Sequence, residues 1–195
     1  MSFWNFVTDF GDTAITLPLT ALMVGFLALG GEKRAALCLA LAVAACGATI
    51  GLAKVVLQSC GQPLLSINLL TPSGHAALST LVFGALAYLL SQRTEPGRRW
   101  MFAVAVAAIV LGIAVSRVIL SVHSPVEVIA GVLIGLIILI IFCRFAGNMP
   151  QRPNILWLCV PALALIAFFH GSRWPFEEMV RSLIHLIRHS VPGCT

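Results

Sequence analysis

Two polar stretches interrupt a chain that is otherwise mostly hydrocarbon: Thr71-Pro72-Ser73-Gly74-His75, and Ser116-Arg117 followed by His123 and Glu127. Polar and ionisable groups are expensive to keep in an apolar chain, so two clusters of them need a reason. Pro72 suits the first turn of a helix, where its missing N–H would be unpaired in any case. The start of that helix offers free backbone N–H groups and the positive end of a dipole, an anion site in waiting. Gly74 lets a ligand approach the backbone, Ser73 adds a hydroxyl donor, and His75 is within reach of anything bound there. In the second stretch, Ser124-Pro125-Val126-Glu127 reads as a capping box, with Ser at the N-cap, Pro at the first helical position and Glu at the third. Glu127 also lies four residues past His123. A carboxylate there can hold one imidazole nitrogen protonated and leave the other free to attack. A carboxylate has lone pairs enough for both tasks. Together these are the means to hold a phosphate and attack it with an imidazole.

Each residue also has a plain structural reading. Arg117 ends an apolar run from Ala103 to Val115, and alone it would be an arginine reaching for the headgroups. His75 alone would be a histidine left at an interface. Lys54, near the end of another apolar run, is a functional candidate by default inside a membrane segment, with snorkelling as its alternative. The functional reading rests on the three clusters falling at one membrane face.

The elements that must position them follow from composition. The 195 residues are 59% hydrophobic and 10% charged, with mean hydropathy +1.01. Soluble domains carry about 25% charged residues, so the chain reads as an all-α, polytopic transmembrane helix bundle. Apolar runs near the length needed to span a membrane, about 20 residues, fall at 13–30, 35–57, 75–91, 100–122 and 125–145. A sixth at 154–170 is short and carries Pro161, so it either spans or re-enters. Three regions result: an interfacial N-terminal segment (1–12) with a short helix over 2–10, a bundle (13–170) whose signature region is 54–127, and a C-terminal tail (171–195) that reads as an amphipathic surface helix. The N-terminus lacks the basic region and small-residue cleavage site of a signal peptide, and Asp9 and Asp12 precede the first apolar run. The first span is therefore expected to stay in the mature protein.

Lys33, Arg34, Arg93, Arg98, Arg99, Arg144 and Arg152 fall in three short loops on one side. The positive-inside rule puts that side in the cytoplasm and both polar clusters outside, although the basic tail falls outside too. The net charge of +5 is topology signal and affinity for anionic headgroups; no basic stripe with interleaved aromatics suggests nucleic acid. Gly47–Gly51 and Gly131–Gly135 are GxxxG patterns, read as packing within the chain in preference to dimerisation. Nothing in the sequence supports a homo-oligomer. None of the six cysteines forms a CxxC pair, which argues against a zinc or redox motif. Cys60 and Cys194 are placed to share a compartment, but pairing is the less favoured reading.

At this point the sequence resembles the type 2 phosphatidic acid phosphatase family, which includes bacterial lipid phosphate and undecaprenyl pyrophosphate phosphatases. Its signature is Lys with a following Arg-Pro, then Pro-Ser-Gly-His, then Ser-Arg, His and Asp. This chain has Lys54 with Gln62-Pro63, then Pro72-Ser73-Gly74-His75, then Ser116-Arg117, His123 and Glu127. The resemblance covers about residues 35–145. It implies that His123 attacks phosphorus and forms a phosphohistidine, that His75 protonates the leaving oxygen and later assists water, and that Glu127 orients His123. Lys54, Ser73, the Gly74 amide and Arg117 would hold the phosphoryl oxygens. No metal and no other cofactor is implied. The substrate would be a lipid phosphate or pyrophosphate met at the outer face of the cell (inner) membrane.

Two departures stand out. Gln62 replaces the first-motif arginine one position late, and it brings no charge for a bidentate phosphate contact. Glu127 replaces Asp, adding one methylene. One span fewer precedes the first motif than in the six-span lipid phosphatases, with an extra one at the end. Two further readings stay open: a phosphotransferase using the same histidine, and a non-catalytic lipid-binding or transport protein on a degenerate phosphatase frame. A soluble vanadate haloperoxidase shares the signature, but the apolar spans argue against it.

Overall fold

In a computed structural model of the chain, residues 3–59, 71–92, 94–147, 156–172 and 182 are described. Every regular element among them is a helix: α1 (Phe3–Asp9), α2 (Thr13–Leu29), α3 (Lys33–Ser59), α4 (Gly74–Ser91), α5 (Pro96–Ile119), α6 (Pro125–Ala146) and α7 (Leu156–Phe169). Five stretches are long and apolar enough to cross a membrane: 3–29, 33–57, 74–91, 97–119 and 125–146. The chain is an all-α membrane protein. The sixth run forms the shorter α7, 14 residues with Pro161 inside. At 1.5 Å per residue that is about 21 Å.

Helix boundaries follow from local chemistry. Asp12 is extended and its side chain accepts from the Ala14 N–H, which opens α2. Ser124 does the same for α6, and both halves of the expected capping box are present, with Pro125 in the first turn. At α4 the expectation needs correcting. Pro72 does not sit in the first helical turn; Ser73 is the N-cap and Gly74 the first helical residue. An N-cap needs a side-chain oxygen to meet an orphan N–H, which Ser73 has and Pro72 lacks.

α4 is the axis of the bundle. It packs most extensively on α6 and α5, and also on α3 and α2; α7 lies outside on α2, and α1 on α5. Its buried residues include Ala76, Ala77, Ser79, Leu81, Val82 and Ala85. Large side chains on α5 and α6, such as Val104, Leu111, Leu133 and Ile137, are exposed, as expected of a surface solvated by lipid rather than water. Buried hydroxyls turn back on their own helices: Thr80 Oγ1 donates to the Ala76 carbonyl at 2.6 Å and Ser116 Oγ to that of Ile113 at 2.6 Å.

The two GxxxG patterns part ways. A Cβ on Gly131 would strike the Ser73 carbonyl oxygen, and one on Gly135 the Ala77 carbonyl oxygen, so these glycines let α6 lie against the backbone of α4. A Cβ on Gly47 or Gly51 would meet nothing within 4 Å among the described residues, so the α3 pattern is not used in packing here. Gly131→Ala is therefore expected to cost about 3 kcal/mol, the upper end for overpacking, because backbone cannot yield as a side chain does. Gly47→Ala should be neutral or slightly stabilising. Thermal unfolding of the two variants in detergent would check this.

The chain alternates direction, so the start of α2, the end of α3, the start of α4, the end of α5 and the start of α6 meet at one end. Arg34, Arg98, Arg99 and Arg144 belong to the helix ends at the other. Four cysteines, Cys38, Cys46, Cys143 and Cys159, are free thiols. Gln62, Pro63, Cys60, Cys194 and the tail helix expected over 175–189 lie outside the described residues, Ser182 of the tail apart.

Candidate active site

Glu127 joins the two polar stretches. Its Oε2 accepts from His123 Nδ1 at 3.2 Å and from the Ser124 N–H at 2.8 Å. Its Oε1 accepts from the Thr71 N–H at 2.7 Å. Its backbone carbonyl accepts from the Ser73 N–H at 3.0 Å. The helix cap and the histidine partner, both read for this residue in sequence, are realised by one carboxylate. Residues 71–73 are thereby fastened along the first turn of α6, ahead of α4.

His123 is aimed by the turn before it. Past the end of α5 the chain folds back, and the Val122 and His123 N–H groups both donate to the Arg117 carbonyl, at 3.1 and 3.2 Å. Ser121 takes a left-handed φ of 55° to make that reversal, a conformation costing a non-glycine residue on the order of 1 kcal/mol. The His123 and Glu127 side chains are mostly covered, at 8% and 7% relative exposure. Burial lowers the His123 pKa below the ordinary histidine value of 6.5, and the positive charges of Arg117 and Lys54 push the same way; contact with Glu127 opposes them. Free-base imidazole is therefore favoured, and free base is the nucleophilic form.

Two cations serve this end of the bundle. Arg117 is 6% exposed in the last turn of α5, and its Nη1 donates to Thr8 Oγ1 at 3.3 Å. Lys54 lies one helical turn past Ile50, whose Cγ2 would stand 3.4 Å from a Cβ on Gly74; this brings the lysine's part of α3 to the head of α4. Gly74 and His75 begin α4, where the first N–H groups have no partner within the helix. Ser73 is fully buried, and its Oγ accepts from the Ala76 N–H at 3.5 Å. Lys54, Ser73, Gly74, His75, Arg117, His123 and Glu127 thus all fall at the same end of the bundle.

Sequence reasoning missed what the N-terminal segment does. Thr8, Asp9 and Asp12 are buried. Thr8 meets Arg117, and Asp12 Oδ2 lies 3.5 Å from His75 Nε2. Gly11 is pressed between α5 and α4: a Cβ there would come within 2.8 Å of Ile113 Cγ2 and 3.4 Å of His75 Cβ. The one available signal was Asp12 directly before Thr13, an N-cap pattern, which places a carboxylate at a helix start but names no distant partner.

Comparison with known proteins gives the chain a family. A protein of Klebsiella pneumoniae, described as an uncharacterized 22.5 kDa protein in the cps region, is 27% identical over 183 residues, covering 91% of this chain and 88% of that one. No solved structure matches the chain. The family model for the PAP2 superfamily matches residues 35–151, which hold all three sequence motifs together with Glu127. With more than half of its length matched and its motif residues gathered at one end of a helical bundle, the chain belongs to the PAP2 superfamily, whose members are generally phosphatases.

Proposed function

We propose that this chain is a metal-independent membrane phosphatase that removes phosphate from a lipid phosphate or pyrophosphate at the outer face through a phosphohistidine on His123. The observation that carries it is the Glu127 contact to His123 Nδ1. It keeps the proton on Nδ1 and leaves the Nε2 lone pair to attack phosphorus. The P–N bond forms as the bond to the leaving oxygen breaks, and His75 gives that oxygen its proton. In the second half, water takes the place of the leaving group, His75 accepts its proton, and the P–N bond breaks. Lys54, Arg117 and the Gly74 N–H would hold the phosphoryl oxygens; such preorganised donors are usually the largest catalytic contribution. Ser73, covered as it is, serves by capping α4 beneath the phosphate, and its hydroxyl hydrogen remains available to it. Among the described residues, no group of three His, Cys, Asp or Glu side chains could hold a metal ion.

The basic loops at the opposite end of the bundle support the outward placement, since the positive-inside rule assigns such loops to the cytoplasmic side of the cell (inner) membrane. The test is inorganic phosphate release by the purified protein in detergent, from phosphatidic acid, phosphatidylglycerophosphate, undecaprenyl pyrophosphate and a soluble ester, with EDTA present. Release from a lipid is expected. No release by folded protein overturns the reading, and phosphate found on an added acceptor instead of in solution replaces it with a phosphotransferase.

The depressed His123 pKa sets the pH response. The free-base form persists to lower pH than for an ordinary histidine, so the acid limb of kcat/KM should lie below about 6.5. Arg117→Gln removes one cause of the depression and should move that limb upward while lowering the rate. A pH profile of both proteins checks the sign.

A further inference from the structure

We infer that Asp12 is a positioning residue for His75: it holds the ring at Nε2, so that Nδ1 is the nitrogen that exchanges protons with the leaving group and then with water. This rests on the phosphatase reading and adds a residue to it from outside the matched region 35–151.

Asp12 Oδ2 lies 3.5 Å from His75 Nε2, with side-chain exposures of 12% and 14%. That is an ion-pair distance, longer than a formed hydrogen bond. Catalytic contacts of this kind are often loose before substrate arrives and tighten with it. The carboxylate has little freedom to point elsewhere. Its other oxygen, Oδ1, accepts from the Ala14 N–H at 2.8 Å and from Thr13 Oγ1 at 3.3 Å. The turn before it is wedged by Gly11 against Ile113 and His75, and α1 is tied to Arg117 through Thr8. The N-terminal segment thus touches both the histidine that moves protons and a cation of the site.

The two histidines are then held at opposite nitrogens. Glu127 takes Nδ1 of His123 and frees Nε2 for phosphorus; Asp12 takes Nε2 of His75 and frees Nδ1 for protons. In the first half-reaction, the Nδ1 proton of cationic His75 passes to the bridging oxygen as its bond to phosphorus breaks. That leaves a neutral ring with hydrogen on Nε2, facing Asp12. In the second, Nδ1 takes a proton from the attacking water as the P–N bond breaks, restoring the cation. Without Asp12 the neutral ring is free to carry its hydrogen on either nitrogen, and one tautomer cannot act as the base.

Asp12 is also an N-cap, so the test must separate the cap from the charge. Asn caps a helix as well as Asp does, and Ala does not. Full-length Asp12→Asn should unfold at the wild-type temperature, with Asp12→Ala lower. Both should lose kcat on a lipid phosphate by about tenfold to a hundredfold, less than the roughly 10²–10⁴-fold of positioned proton transfer because the histidine itself remains, with KM changed less than about twofold. With p-nitrophenyl phosphate, whose leaving group departs without a proton, the pre-steady-state burst of nitrophenolate should be unchanged in Asp12→Asn. Nitrogen-15 NMR at alkaline pH should show His75 with hydrogen on Nε2 in the wild type and a mixture in Asp12→Asn. Wild-type kcat in Asp12→Asn, or an equal loss in burst rate and lipid turnover, overturns the inference. A wild-type protein that releases no phosphate from any substrate overturns the phosphatase reading instead, and the NMR tautomer then decides the Asp12–His75 contact by itself.

Discussion

His123→Ala is expected to reduce phosphate release by about 10⁴-fold or more, the scale seen when the nucleophile of a covalent mechanism is removed, and to leave the bundle folded. The side chain is mostly covered but lies in the turn between α5 and α6, outside the hydrophobic core. Glu127 Oε2, its partner, keeps the Ser124 N–H without it, and the turn itself is held by a backbone bond from the His123 N–H to the Arg117 carbonyl. Alanine keeps that bond. The thermal midpoint should therefore stay within a degree or two while turnover vanishes. Rapid acid-free quenching of wild type with labelled substrate should trap phosphate on protein, and the variant should trap none. A variant that is folded and still active would remove His123 from the chemistry.

Glu127 should respond differently, because it holds both the helix cap and the proposed nucleophile. Glu127→Ala leaves the Thr71 and Ser124 N–H groups without their acceptor and deletes the capping box. Loss of a cap costs about 0.5–2 kcal/mol and a stranded buried donor about 1–3, so a loss of about 2–4 kcal/mol is expected. Activity should fall by about 10³–10⁴, as when the orienting carboxylate of a histidine pair is lost. Glu127→Gln is the sharper probe. One oxygen becomes an NH2, so a donor faces either Thr71 or the Ser124–His123 pair, whichever way the amide turns. Where it faces His123, the imidazole must accept at Nδ1 and carry its hydrogen on Nε2, which silences the nucleophile. The expected result is a smaller stability loss than for alanine with a comparable loss of rate. Denaturation in detergent beside the phosphate assay distinguishes the two.

Much of this site was legible in sequence because its signals are local. The Ser124-Pro125-Val126-Glu127 capping box and the His123–Glu127 spacing act within one helical turn, and both formed as read. The spans were readable for a similar reason: apolar length is a property of a contiguous segment, so the boundaries at Thr13, Ser91 and Pro125 agree to the residue. Pro72 was misplaced because both a proline and a serine favour helix starts. What decided between them was a distant group, the Glu127 carbonyl, which takes the Ser73 N–H and holds that residue extended. Asp12 and Thr8 escaped for the same reason in stronger form. Their partners, His75 and Arg117, lie more than 60 residues away, and no periodicity connects them. The packing of α1 on α5 is likewise a contact between distant segments that no local signal announces.

The contact between α4 and α6 has a mechanical consequence. Where Gly131 and Gly135 meet the Ser73 and Ala77 carbonyls, the two helices touch main chain to main chain. Such a joint has no rotamers to exchange and no side chain to fold aside, so it resists sliding and prying alike. The N-terminal flank is joined by side-chain contacts instead, Arg117 to Thr8 at 3.3 Å and His75 to Asp12 at 3.5 Å, around the Gly11 wedge. The α4–α6 pair is therefore the fixed post of the frame. The Glu127 bonds to Thr71 and Ser73 fasten the head of α4 to the same post, so the two polar stretches are carried as one piece.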